Sequence, residues 1–253
     1  MELSFKGKTA VITGASQGLG ACVARAYAAA GAKTVVHYRS RPEPAAEVVE
    51  DIVKMGGQAI AVSAHLNKPD DVQRLFAATQ DAFGSVDVLV NNAGSFPNSS
   101  LFAIELDDWK KMYADNVEST FLCTKAAAQI MQEAGGGAIV NVASTSALNP
   151  GADHSHYNSA KSAVVMFTQS TAQELGPFNI RVNAVAPGLI YRPGLEEQWP
   201  DGFQRYLNSA PLGCVVQPED VANACLFLSS ELATRITGTT IPVDAGVLMA
   251  MAY

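Results

Sequence analysis

Short apolar runs alternate with longer, helically patterned segments along the whole chain, and glycines mark most of the exits. Thr9 to Thr13, Thr34 to Tyr38, Ala59 to Ser63 and Val86 to Val90 read as strands in the first half. Ala138 to Val142, Ile180 to Ala186 and Thr239 to Val243 follow in the second. Helices are expected from Leu19 to Ala30, Glu43 to Met55, Pro69 to Phe83, Leu106 to Glu133, Tyr157 to Leu175 and Pro218 to Leu228. Gly31, Gly56 and Gly84 stand where helices stop, because glycine tolerates the positive φ of a helix exit. Pro218, Glu219 and Asp220 put a proline and two acids at the positive end of the last helix. Repeated strand–helix–strand units imply an α/β protein with a doubly wound, mostly parallel seven-stranded sheet and helices on both faces. Ligands of such sheets bind at the carboxyl ends of the strands. That points to Gly14–Gly20, Tyr38–Arg41, Ala64–Leu66, Asn91–Gly94, Ser144 and the stretch from Pro187 onward.

The chain has 253 residues, 48% of them hydrophobic, and no linker or composition shift divides it. A single domain over residues 1–253 is therefore expected. A formal net charge of −7 repels polyanions and argues against nucleic acid or an anionic membrane as partner. The opening MELSFKGKTAVITGAS lacks the apolar core of a signal segment, and no apolar stretch is long enough to span a bilayer. Cys22, Cys123, Cys214 and Cys225 are scattered, without a metal or disulfide spacing. Reduced, mostly buried thiols in a cytoplasmic protein are expected.

Gly14, Gly18 and Gly20 lie between the first strand and the first helix. Gly14 permits a sharp turn, Gly18 lets the backbone approach a pyrophosphate, and Gly20 lets the helix pack against the sheet. Free N–H groups and the helix dipole attract the anion. A glycine triplet alone also fits a plain strand-to-helix turn. Its GxxxGxG spacing, Asn91-Asn92-Ala93-Gly94 after the fourth strand, Tyr157-Asn158-Ser159-Ala160-Lys161 and the ending Ile236-Thr237-Gly238…Val243-Asp244-Ala245-Gly246 occur together and in order. On these motifs the chain resembles the short-chain dehydrogenase/reductase family over nearly its whole length. The resemblance implies a Rossmann-type fold and a nicotinamide cofactor. Its cradle is expected to comprise Gly14, Ser16, Gln17, Gly18, Leu19 and Gly20, then Tyr38, Arg39 and Ser40, then His65 and Leu66. Asn92, Ala93, Gly94, Tyr157, Lys161, Pro187, Gly188 and Ile190 complete it.

Reducing a carbonyl needs a hydride at carbon and a proton at oxygen. A free tyrosine is a poor proton shuttle near neutrality because its pKa is ~10. Lys161, four residues from Tyr157, shares its helix face and can supply a field that lowers that pKa. Taken alone, this pair fits an incidental helix with an exposed lysine, Ser144 a capped loop, and Asn116 a helix-backbone contact. By resemblance, Tyr157 is the general acid in reduction and base in oxidation, and Lys161 also bonds the nicotinamide ribose. Ser144 orients the carbonyl, and Asn116 holds a water that joins the relay. His154 and His156 have a His-x-His spacing, but no further cluster completes a coordination sphere, so no metal is assigned. They are expected to line the substrate pocket or face solvent.

The second strand ends His37-Tyr38-Arg39-Ser40-Arg41, with Tyr38 where the family's NAD users carry an acid. Arg39 is a fork-shaped donor suited to a 2′-phosphate, so NADP is preferred over NAD. Two solvated loop arginines are the blander alternative. Three departures from the family pattern stand out: Gln17 in the glycine loop, His65 at a usual aspartate, and Arg192 at a usual threonine. Arg192 either meets a phosphate or acidic substrate or snorkels to solvent.

Residues 188–213 carry Tyr191, Trp199, Phe203 and Tyr206 and are expected to cover the substrate. The leading reading is an NADPH-dependent carbonyl reductase or alcohol dehydrogenase acting on a small molecule. A 3-oxoacyl-carrier-protein reductase fits the motifs too, although net acidity gives no support to docking an acidic carrier. The HYRS segment is similar to that of sugar dehydrogenases and of pteridine reductases, which often place aspartate at position 144. A nucleotide-sensing binding protein without chemistry would be expected to lack Tyr157, Lys161 or Ser144. The resemblance implies a homotetramer assembled through the long helices and C-terminal segment, with the apolar tail Val247–Tyr253 at an interface.

Overall fold

The computed structural model describes residues 3–249, so the end of the apolar tail, Ala250 to Tyr253, lies outside the described residues. All seven strands pair in parallel in the order β3-β2-β1-β4-β5-β6-β7. They are β1 (Thr9–Ile12), β2 (Lys33–Tyr38), β3 (Gln58–Ser63), β4 (Val88–Asn91), β5 (Gly137–Val142), β6 (Ile180–Pro187) and β7 (Thr240–Val243). The chain winds outward from β1 to β3, then returns beside β1 to start β4. The crevice at that reversal is where ligands of open α/β sheets sit.

Period-two alternation divides the core between the two sheet faces. Ala10, Ile12, Val36, Val88, Val90 and Val140 pack with α1 (Gly18–Ala29), α2 (Pro42–Lys54) and α9 (Pro218–Ser229). Val11, Val35, Leu89, Ile139 and Val182 pack with α3 (Pro69–Phe83), α5 (Ser119–Glu133) and α6 (Ser155–Leu175). The edges differ from the centre: β3 is largely exposed, and β7 carries Pro242, which only an edge strand accommodates readily.

Four expectations need correction. The fourth strand begins at Val88 rather than Val86, because Asp87 turns back to accept Thr9 N–H and Ser85 O–H. The long helix expected from Leu106 to Glu133 is α4 (Leu106–Tyr113), a wider π turn (Ala114–Glu118) and α5. The helix around Tyr157 begins earlier, at Ser155. Only Cys123 and Cys225 are buried, whereas Cys22 is partly buried and Cys214 exposed; all four are free thiols.

Inside the sheet runs a buried polar ladder. Asn91 Nδ2 donates to Thr124 Oγ1 (3.0 Å) and to Asn141 Oδ1 (2.9 Å). Asn141 Nδ2 in turn donates to Thr168 Oγ1 at 2.8 Å. Each donor away from water needs such a partner, so β4, β5, α5 and α6 are fixed in register beneath the site. No helix among the described residues is long and apolar enough to cross a membrane.

Candidate active site

Because every strand points the same way, the loops after β1, β2, β3, β4, β5 and β6 open on one edge of the sheet. Gly14–Gly20, Tyr38–Arg41, His65 and Leu66, Asn92–Gly94, Ser144, and Pro187, Gly188 and Ile190 therefore share that edge. The glycine loop leaves β1 through Gly14 at φ +63, and a Cβ there would press against Ala93 at 2.9 Å. Gly18 also has positive φ (+55), with nothing within 4 Å of the space a side chain would fill. That open ledge, above the uncapped first turn of α1, fits the pyrophosphate of a dinucleotide.

Two residues that sequence reading did not assign hold this loop. Thr13 Oγ1 accepts N–H from Asn92 (2.9 Å) and Ala93 (3.0 Å), while Asn92 Nδ2 donates to Thr13 O and Gly14 O. The Asn92 amide is thus engaged by the protein itself, tying the β1 and β4 loops together. His37, buried in β2, accepts the Gly14 N–H at Nδ1 (2.9 Å) and faces Ala64 O through Nε2 (3.1 Å). Gly14 N–H can only donate, so Nδ1 is unprotonated and the proton sits on Nε2. Burial lowers the His37 pKa to about 4, with nearby His65 acting the same way. The detectable signal was a histidine directly after Val35-Val36 in a buried strand.

Tyr157 and Lys161 face each other on α6. Lys161 Nζ lies 5.8 Å from the Tyr157 ring centroid and donates to Val142 O at 2.9 Å. Burial draws Lys161 down to about 8. The expected lowering of Tyr157 is not what the protein groups produce. Burial raises it, and the nearby Ser144 hydroxyl pulls only partly against that. The raised value reflects the low-dielectric surroundings of the phenol.

Asn116 sits in the π turn between α4 and α5. Its Nδ2 donates to Ser95 O and Met112 O, both at 3.0 Å, and its buried Oδ1 has no protein partner. A Cβ on Gly94 would collide with Asn116 Oδ1 and stand 3.6 Å from Lys161 Nζ. One small space thus holds an acceptor without a donor beside an ammonium with N–H bonds to spare, which fits a bridging polar group.

Phe96 and His154 flank Tyr157, with ring centroids 6.5 Å and 6.1 Å away. His156 neither lines this pocket nor meets solvent. It is buried, and Asp108 of α4 and His154 both act on its titration, which burial lowers. Arg192 is exposed, as is His65, whose backbone N–H is taken by Asp71. Residues 188–213 form α7 (Leu195–Gln198) and α8 (Pro200–Ser209). Tyr206 O–H anchors α8 to Asp244 O at 2.8 Å, and Arg205 stacks over Trp199 at 5.9 Å. Among the described residues no group of His, Cys, Asp and Glu is arranged to hold a metal ion.

At the end of β2, Arg39 Nη1 lies 3.7 Å from Asp115 Oδ1, and Arg41 Nη2 donates to Gln17 Oε1 at 2.5 Å.

A family model described as enoyl-(acyl carrier protein) reductase matches residues 14–248. The chain is 39% identical over 245 residues to a 3-oxoacyl-[acyl-carrier-protein] reductase of Synechocystis, covering 96% of this chain and 97% of that protein. It is 40% identical over 248 residues to an L-rhamnose 1-dehydrogenase (NAD(P)(+)) of Azotobacter vinelandii, covering 96% and 97%. A solved 7α-hydroxysteroid dehydrogenase, complexed with NADH and 7-oxo glycochenodeoxycholic acid, superposes with a TM-score of 0.93 at 35% identity, covering 97% of this chain and 96% of that one.

Proposed function

Since the chain belongs to the short-chain dehydrogenase/reductase family of nicotinamide-dependent oxidoreductases, we propose that it is an NADPH-dependent carbonyl reductase or alcohol dehydrogenase for a small molecule. The observation that carries this reading is the convergence of Ser144, Tyr157, Lys161 and the unpartnered Asn116 Oδ1 on one pocket beside the glycine loop. When bound, the nicotinamide gives a hydride to a carbonyl carbon or takes one from an alcohol carbon.

The protein's own groups handle the proton. Ser144 donates a hydrogen bond that orients the substrate oxygen. Tyr157, kept protonated at neutral pH by burial, gives its proton to that oxygen in reduction. The tyrosinate left behind is stabilised by the Lys161 ammonium, which is mostly charged below its pKa of about 8. Asn116 Oδ1 and Lys161 Nζ border one space through which the proton can be restored. Ser16, Gly18 and Leu19, at and just before the start of α1, would hold the phosphates, and His65, Leu66 and Ala93 would serve the adenosine side. Pro187, Gly188 and Ile190 would hold the nicotinamide. Tyr38 and Ser40 leave the ribose end without a carboxylate, which favours NADPH over NADH. Residues 188–213 cover the substrate, and Phe96, edge-on to Tyr157, gives the site an aromatic side.

Replacing Tyr157 by phenylalanine is the test. Turnover should fall by about a thousandfold, within the range for loss of a general acid, while cofactor affinity read by nicotinamide fluorescence stays close to wild type. Retained turnover would refute the assignment. The Synechocystis relative favours a second reading, reduction of 3-oxoacyl thioesters. A substrate panel of ketones, sugars and acyl thioesters separates the two.

The assembly that goes with this reading is a homotetramer built through the long helices. Phe121 of α5 and Met166 of α6 are 45% and 61% exposed, and Phe121 meets Phe167 edge-on at 6.2 Å. Large apolar side chains on adjacent helix faces suit a self-complementary contact. With four free thiols, the protein belongs in a reducing compartment, the cytoplasm.

A further inference from the structure

We propose that Arg41, rather than Arg39, takes the 2′-phosphate of the cofactor, with Gln17 holding its guanidinium over the glycine loop; this rests on the NADPH reading above. The first observation is the bond from Arg41 Nη2 to Gln17 Oε1, 2.5 Å long and spanning 24 positions of sequence. Gln17 is the extended N-cap of α1, and Arg41 is the extended N-cap of α2. Neither helix start is capped by a side-chain hydrogen bond. That hydrogen bond joins the N-cap residues of two helices whose free N–H groups and dipoles favour an anion. The loop from Gly14 to Gly20 has no cation of its own, so the charge beside it comes from Arg41.

The second observation concerns Arg39, which already faces an anion. Its Nη1 lies 3.7 Å from Asp115 Oδ1, and the same part-buried carboxylate takes Lys111 Nζ at 2.7 Å. Turning Arg39 toward a phosphate would break that contact and bring a second anion near Asp115. Arg39 instead ties the end of β2 to the π turn that carries Asn116. Arg41 has no such competitor: among the described residues no carboxylate pairs with it. Its bond to the neutral Gln17 amide uses one N–H, and the rest of the planar fork remains for phosphate oxygens.

Calorimetric titration with adenosine 2′,5′-bisphosphate and with 5′-AMP reads the 2′-phosphate contact without any turnover. Wild type, R41A, R41K and R39A would be compared, with NADPH and NADH kinetics alongside. Arg41 is exposed, so R41A should fold, and circular dichroism checks this. R41A should lower the preference for the bisphosphate by about tenfold or more, as expected for a charge-assisted contact, and R41K by less. R39A should lower it by no more than about threefold. A large loss in R39A with R41A within about twofold of wild type overturns the assignment. A wild-type 2′-phosphate preference that survives in R41A overturns the assignment alone. A wild type that prefers 5′-AMP and NADH overturns the NADPH reading and the assignment together.

Discussion

His37 makes the stability of this protein depend on pH in a window where few other side chains titrate. Its Nδ1 must stay unprotonated to accept the Gly14 N–H, since a proton there would set two donors against each other. Burial lowers its pKa from 6.5 to about 4. Above pH 6.5 the ring is neutral in both folded and unfolded chains and contributes no pH dependence. Between pH 6.5 and 4 the unfolded chain binds the proton and the folded chain does not, so stability falls as pH falls. The full shift corresponds to about 3 kcal/mol, of which about 2 kcal/mol is lost by pH 5. H37N is the informative variant, because Asn Oδ1 can still accept from Gly14 while the titrating ring is gone. Urea unfolding of both proteins at pH 7.5 and pH 5.0 isolates the effect. Wild type should lose about 2 kcal/mol more than H37N over that interval. Equal losses would show that the ring titrates normally, and that the inferred tautomer and its hold on the glycine loop are wrong.

Two other results are expected. G94A places a methyl against Asn116 Oδ1 and close to Lys161 Nζ, so kcat should fall by about a hundredfold, with about 1–3 kcal/mol of destabilisation in urea melts; kcat within about twofold of wild type would remove Asn116 from the relay. Light scattering at micromolar concentration should report a particle of four chains, and a monomer would refute assembly through the faces that bear Phe121 and Met166.

The parallel order of the sheet was legible because covered strands such as Val86–Val90 are largely apolar and glycines punctuate the helices. Ser144, Tyr157 and Lys161 were legible as a group because each belongs to a motif at a strand end or on one helix face. What stayed hidden depends on through-space partners. Asp87 shortens β4 by turning back to Thr9, 78 positions away, and no local pattern marks that. The sign of the Tyr157 shift was misjudged because spacing reveals the nearby cation but not the depth of burial. The contact of Arg39 with Asp115, 76 positions on, is another through-space partner that no local pattern marks. The HYRS segment drew attention to the ribose end through Tyr38, Arg39 and Ser40, and the role of its first residue, His37, went unread.

The wide turn at Ala114–Glu118 carries a further implication for how this chain tolerates insertions and deletions. At 3.6 residues per turn, one residue more or less rotates everything beyond it by about 100°. Met112 on one side, and Cys123, Ala127 and Met131 on the other, are all buried, with the extra residue accommodated between them. Deleting a single residue here would tighten the coil to ordinary pitch and swing the Asn116 carboxamide off its aim. Both halves of the rod would stay close to their present phase, because the deletion removes the residue that the wide turn absorbs, and the loss would fall on Asn116.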